Sequence, residues 1–524
     1  MHRLLCAAVV SLIATSSYAA DMASKKNEQP AKALMPRWEG FYFGFNRGFG
    51  GGVTDNNAGL ISTNQSYNLF SSTTNRASGF IAGGQVGYLH QFENRFSLGF
   101  ETDFQWSDLK ASYQGQALAT NPSFITNADL RSGINWFGTG RARVGYSIGR
   151  LFPYVTGGVA YGQIQTIASP LLGSNTIAAS SATQNRVGWV MGGGAEIAIS
   201  KNLSAKSEYL YMTMLGANGN IAGATIPAGM PLMGSIGSSM MGVHILRGGM
   251  NYKYTGIDNI ASDWGEYQPL LEGRIVDYLL AQPARDWSGF YAGVNGGYGG
   301  DIFRSNSTIL QGASGSAPPL AAVSTTTNRT GGFLGGGQVG YNYQIYNRLV
   351  VGVETDAQWT GIVGQHEAIS AENPVGSVVA NEKFSLDWFG TTRLRAGLVR
   401  GDALSYLTAG VAYGGVSLNS NDYSGGYFAN ATTQTKAGWA VGTGTEYAIT
   451  SDMSFRADYL YTSLSGISGP IYGFTTSSSN PLLGLYSTRS ITNNILRVGV
   501  NWKFGKTSDD NPIDMVSPIK SAPR

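Results

Sequence analysis

Two carboxylates two residues apart, Glu101 and Asp103, recur as Glu354 and Asp356, and each pair is followed by two alternate arginines, Arg141 and Arg143 or Arg393 and Arg395. Glu196, Lys206, Glu208 and Arg247 extend the first set, and Glu446, Arg456, Asp458 and Arg497 repeat them in the second. Paired carboxylates beside cations could perform general acid–base catalysis. Their spacing favours another role, because residues i and i+2 share one face of a strand. Neighbouring strands would then present opposite charges across a sheet. A small closed barrel has an interior that its own side chains fill, and a charge is tolerated there only when paired and hydrogen-bonded. These sixteen residues are therefore expected to form structural ion pairs that plug a lumen, and no catalytic, cofactor-binding or metal-ligating residue is assigned.

Other chemical motifs weaken on inspection. Gly335, Gly337 and Gly340 match GxGxxG, but the dinucleotide fingerprint opens a helix, and these glycines stand inside an alternating segment. His366 and Glu367 begin an HExxH pattern that Ser370 breaks, so the zinc reading fails. His90 and His244 fall at opposite ends of strands, and no Ser/His/Asp grouping follows from spacing.

The elements that carry these residues are written twice. WEGFYFGFNRGFGG from Trp38 returns as WSGFYAGVNGGYGG from Trp287, an offset of 249, and GFIAGGQVGY from Gly79 returns as GFLGGGQVGY from Gly332, an offset of 253. Six more segments follow in the same order in both halves: NRFSLGFETDFQW from Asn94, WFGTGRARVGY from Trp136, YVTGGVAYG from Tyr154, GWVMGGGAEIAIS from Gly188, LSAKSEYLYM from Leu203 and ILRGGMNYKY from Ile245. Each alternates with period two. In the last, Leu246, Met250, Tyr252 and Tyr254 oppose Arg247, Asn251 and Lys253, a separation that a helix would scatter. The segments are predicted strands of about the length of a tilted membrane strand, ~9–11 residues.

Connection lengths give the topology. Polar stretches of roughly twenty to thirty residues follow the odd segments and short turns follow the even ones, the asymmetry of an outer-membrane barrel with long external loops and short periplasmic turns. Under that topology Trp106, Trp359, Trp136, Trp388, Trp189 and Trp439 collect at the outer rim. Tyr88, Tyr341, Tyr252, Tyr254, Trp502 and Phe504 collect at the periplasmic one, giving the two interfacial girdles of a membrane protein.

Composition agrees. Charged residues are 13% of the 524, against ~25% in soluble proteins, with 73 glycines and 11% aromatics. Mean hydropathy is −0.08, and no apolar run reaches the ~18 residues of a membrane helix. A multi-helix transporter is excluded and a cytosolic enzyme disfavoured. Arg3, the apolar run from Leu4 to Ile13 and small residues to Ala20 describe a secretory signal peptide. Cys6, the single cysteine, lies within it. A net charge of +3 without a basic stripe implies no nucleic-acid partner. The expected domains are a signal peptide (1–20), a flexible lead-in (21–37), a first barrel (38–254), a periplasmic linker (255–286) with an amphipathic stretch from Leu270, a second barrel (287–504) and a polar tail (505–524).

WxGFYxGxN at the first strand, GGQVGY at the second, ETDxQW at the third and a final LRxGxNxKF-type strand resemble the alphaproteobacterial outer-membrane β-barrel family of porin-like major surface antigens and haemin-binding proteins. The resemblance implies a Gram-negative outer-membrane location, insertion by the barrel-assembly machinery, and roles in envelope integrity or surface interaction. It departs from the family in carrying two barrels, and in the twenty residues that follow Phe504.

The expected fold is all-β: two tandem eight-stranded transmembrane antiparallel up-and-down barrels, with one sixteen-stranded barrel as the alternative. The expected function is structural and surface-displaying, without enzymatic activity or cofactor. The partners would be outer-membrane lipid, the assembly machinery and an external ligand of the long loops. The alternatives are a sixteen-stranded transport pore, and a receptor for a ligand such as haemin, for which 28 tyrosines leave phenolate ligation open.

Overall fold

Alternation of apolar and polar residues builds the strands of the lower barrels. The computed structural model describes residues 37–62, 68–120, 123–173, 176–225, 229, 231–254, 285–311, 321–373, 376–423, 426–475 and 481–504. The expected signal peptide, the tail, and nearly all of the linker lie outside them.

The first half contains β1 (Gly40–Ser62), β2 (Asn68–Gln91), β3 (Phe96–Thr120), β4 (Ser123–Tyr146), β5 (Leu151–Gly173), β6 (Thr176–Ala198), β7 (Leu203–Met214), β8 (Asn218–Thr225), β9 (Pro231–Ser238) and β10 (Met241–Lys253). The second contains β11 (Gly289–Gly300), β12 (Ile302–Gln311), β13 (Ala321–Arg329), β14 (Gly332–Ile345), β15 (Leu349–Asn373) and β16 (Gly376–Arg400). It continues with β17 (Ala403–Tyr423), β18 (Gly426–Ala448), β19 (Met453–Leu464), β20 (Ser468–Thr475), β21 (Pro481–Thr488) and β22 (Ile491–Phe504).

Antiparallel pairing closes two rings. β1 to β7 pair in sequence, and β10 pairs with both β7 and β1. In the second ring β11, β14, β15, β16, β17, β18, β19 and β22 pair in that order, and β22 returns to β11. The two tandem eight-stranded barrels are therefore present.

The long connections depart from expectation. The sequence predicts polar loops there, yet their residues continue the strands, so that β3 and β15 each run for 25 residues. Beyond the aromatic rim the only backbone requirement is continued pairing, which Thr- and Ser-rich sequence satisfies as a hairpin. The connection after β7 forms a separate hairpin, β8–β9, which bonds to β6 on one side and β1 on the other. β20–β21 does the same between β18 and β12.

The upper hairpins also cross between halves. Residues 68–75 of β2 pair with 366–373 of β15, and 322–328 of β13 pair with 113–119 of β3. Following partners around the top gives β1, β2, β15, β16, β17, β18, β20, β21, β12, β13, β3, β4, β5, β6, β8, β9 and back to β1. The sixteen-stranded alternative thus exists only as a collar, and below it two separate rings hold the chain.

The barrels touch along one seam. Phe49, Leu246 and Tyr298 form a buried cluster with Leu496 packed against it. Phe80 meets Tyr459 and Tyr209 meets Phe333, each at 6.0 Å between ring centroids. These contacts are reciprocal, because Phe80 and Tyr209 of the first repeat correspond to Phe333 and Tyr459 of the second. At the short-turn end Arg150 bridges to Asp402 at 3.2 Å, again between equivalent positions. Such a seam has the form of an isologous dimer interface written into one chain.

Candidate functional site: the barrel interiors

Inward positions on β3, β4, β6, β7 and β10 converge because alternate residues of each strand face the axis. Arg141 donates from Nη1 to Glu208 at 2.8 Å and from Nη2 to Asp103 at 3.1 Å, and Nη2 also bonds Glu101. Arg143 spans Glu101 at 2.9 Å and Glu196 at 2.9 Å. Lys206 Nζ reaches Glu101 at 3.0 Å, and Arg247 joins Glu208 at 2.7 Å to Asp103 at 2.8 Å. Four carboxylates face four cations, all buried.

The second barrel repeats the arrangement. Arg393 bonds Glu354 at 2.5 Å and Asp356 at 2.8 Å. Arg395 bonds Glu446 at 3.0 Å, and Arg456 bonds Glu354 and Asp458 at 2.7 Å each. Arg497 joins Asp458 at 2.7 Å to Asp356 at 3.0 Å. None of the sixteen residues singled out in the sequence is more than 4% exposed. Charge balance within each interior lets every ion lose its water in exchange for a partner, the condition for burying it at all.

Other residues of the site were not singled out beforehand. Tyr42 donates to Glu101 at 2.8 Å and accepts from Arg143 at 2.7 Å; Tyr291 does the same between Glu354 and Arg395. Tyr154 and Tyr406 lie flat under Arg143 and Arg395, 3.9 and 4.0 Å from ring centroid to guanidinium carbon. Asn251 and Ser204 complete the lone pairs of Glu196, as Asn501 and Ser454 do for Glu446. Glycines on the neighbouring strand make room for Tyr42 and Tyr291. A Cβ on Gly87 would stand 2.4 Å from the Tyr42 ring, and one on Gly340 2.4 Å from the Tyr291 hydroxyl, so the inward glycine of GGQVGY makes room for the aromatic on the next strand.

The ions form one layer of three. Toward the short-turn end, Trp38, Tyr42, Leu89, Phe152, Tyr154 and Ala198 pack as a floor, and Trp287, Val350, Val399, Leu404, Tyr406 and Ala448 as its copy. Toward the collar, the inward face turns apolar: Ile81, Leu109, Phe137, Leu210, Met212 and Val243 belong to a buried cluster in the first barrel, and Ile362, Phe389, Leu460 and Ile495 to one in the second. The sequence predicts a charged interior alone. The apolar layer went unread because inward apolar residues alternate with outward apolar ones, which erases the period-two contrast there.

The outward face is apolar along the lower barrels. Phe100, Phe104, Val155, Leu394 and Leu398 are exposed, and Trp106 and Trp359 stand opposite Trp136 and Trp388 at the upper edge of that belt.

The remaining motifs lie elsewhere. Gly335, Gly337 and Gly340 are within β14. His90 contacts Glu39 at the short-turn end, and His244 bonds Tyr209 on the seam at 2.8 Å. The backbone of His366 lies in β15, and its side chain is outside the described residues. Among the described residues no three His, Cys, Asp or Glu side chains are grouped to hold a metal.

The sequence matches known proteins. The outer membrane protein β-barrel domain matches residues 279–504. The 31 kDa outer-membrane immunogenic protein of Brucella melitensis is 33% identical over 258 residues, 48% of this chain and 100% of its own length. The chain belongs to the outer membrane protein β-barrel family. Within that family, the 22 kDa outer membrane protein of Rhizobium leguminosarum is 32% identical over 183 residues, 34% of this chain and 66% of its own. The 25 kDa outer-membrane immunogenic protein of Brucella canis is 28% identical over 226 residues, 43% of this chain and 88% of its own. Among solved structures, OprG from Pseudomonas aeruginosa aligns at a TM-score of 0.25 and 16% identity, over 43% of this chain and 100% of its own. As a member of this family the chain is a protein of the bacterial outer membrane.

Proposed function

We propose that this outer-membrane protein is a structural and surface-displaying element whose two lumens are sealed. The observation that carries this reading is the interior itself: a charge-balanced ion layer between an aromatic floor and an apolar plug, in both barrels. A conducting lumen needs water and mobile counter-ions along its axis, whereas here each carboxylate is bonded to a guanidinium or ammonium. These charges are buried where no substrate reaches them, which supports a non-enzymatic role. The partners proposed are the lipid around the belt, the assembly machinery during insertion, and an external molecule met by the collar. Reconstitution of the purified protein in planar bilayers tests the sealed lumen. Flat current at 100–200 mV is expected, and steady ohmic steps would overturn it.

A further inference from the structure

Below the collar, β2 and β3 pair inside their own barrel, with Ala77 facing Ala111 and Ser78 facing Lys110. In the second repeat Gly331 faces Val363 of β15. Continuing these registers upward without a shift would set Asn75 opposite Tyr113 and Asn328 opposite His366. The structure instead pairs Asn75 with His366 and Asn328 with Tyr113. The same backbone positions exchange partners between barrels with no change in register. Both arrangements satisfy the same N–H and C=O groups, so backbone hydrogen bonding cannot choose between them.

The branch point holds the discriminating contacts. Arg76 Nη1 donates to the carbonyl of Gly331 at 3.4 Å, and Arg329 Nη1 donates to the carbonyl of Ser78 at 2.6 Å. Arg329 also pairs with Asp108 at 3.4 Å. Arg76 corresponds to Arg329 in the repeat and Ser78 to Gly331, so each arginine reaches over the branch to the other's strand. Separate rims would pull these partners apart.

We propose that the collar is a strand-exchange surface on each repeat whose partner is a second copy of the repeat. It switches the external face between one sixteen-stranded rim and two eight-stranded rims, and Arg76 and Arg329 hold it in the exchanged form. Two packings of one sequence separated by a small free-energy gap are a known basis for such a device. The inference stands whether or not the lumens are sealed.

Disulfide trapping in the full chain tests it, since the sequence beyond Cys6 has no cysteine and facing antiparallel positions lie within disulfide reach. Asn75→Cys with His366→Cys reports exchange, Asn75→Cys with Tyr113→Cys reports separate rims, and Asn56→Cys with Thr73→Cys, partners within one barrel in either form, is the control. Heat-modifiable gel mobility establishes that each variant is folded, and peptide mapping reads the crosslink. The 75–366 bond is expected to dominate, and adding Arg76→Ala with Arg329→Ala should shift the ratio toward 75–113 by about tenfold. Dominance of 75–113 with both arginines intact, or absence of both bonds while the control forms, overturns the exchange. An unchanged ratio in the double-alanine variant overturns the clamp.

Discussion

Removing a buried ion's partner costs more than the pair contributes, because the charge left behind has no water. Arg141 serves Glu101, Asp103 and Glu208 at once, so Arg141→Ala should destabilise the first barrel by ~3–5 kcal/mol, read as a lowered urea midpoint for unfolding from detergent micelles. The repeat supplies the contrasting case. Lys206 sits where the second barrel has Arg456, and the latter reaches Glu354 and Asp458 at 2.7 Å each, while Lys206 approaches Glu208 only to 3.9 Å. Lys206→Arg should therefore change the stability by no more than ~1 kcal/mol, and a loss as large as that of Arg141→Ala would show that the two interiors are not interchangeable. The charges of this site were legible because i, i+2 spacing on successive strands exposes them to any count of faces. Tyr42 and Tyr154 were not, since an aromatic at a strand position reads equally well as a girdle residue until its ring is seen under a guanidinium.

At the level of the strand, the outward positions test how the barrels sit in lipid. Leu394 lies about midway between Trp388 at the upper edge of the belt and Arg400 at the short turn, and it is 71% exposed. An arginine there would stand at the depth where the cost is greatest, ~2–4 kcal/mol, whereas Leu398→Arg, near the turn, should cost ~0–1. Folding yields into lipid vesicles compare the two, and equal losses would remove the assigned depth. The strands themselves were readable from alternation and from their doubled order, but their ends were not. Ser- and Thr-rich stretches carry no apolar contrast, so nothing local separates a loop from a hairpin that continues 25-residue β3 beyond the rim.

For the whole molecule, the seam sets the two repeats side by side. Arg150 and Asp402 approach to 3.2 Å at the short-turn end, while the aromatic contacts of Phe80 with Tyr459 and Tyr209 with Phe333 lie higher. Arg150→Cys with Asp402→Cys should give an intramolecular disulfide in intact membranes, and its absence under conditions that oxidise the Asn56/Thr73 control pair would mean that the barrels stand apart below the collar. Because that end lies outside the exchanged strands, its outcome is independent of which rim the collar adopts.

The sequence alone determined the strand class, the duplication, the membrane-facing alternation and the sixteen interior charges, because each is a local period or a one-dimensional match. Only the tertiary structure decided how the two repeats meet. The choice between one ring and two depends on which edges find each other in space, and the upper edges of β2, β3, β13 and β15 fit either partner in the same register. That degeneracy is a direct consequence of writing the same barrel twice, and the side chains that resolve it, Arg76 and Arg329, are recognisable only once Ser78 and Gly331 are seen across the branch.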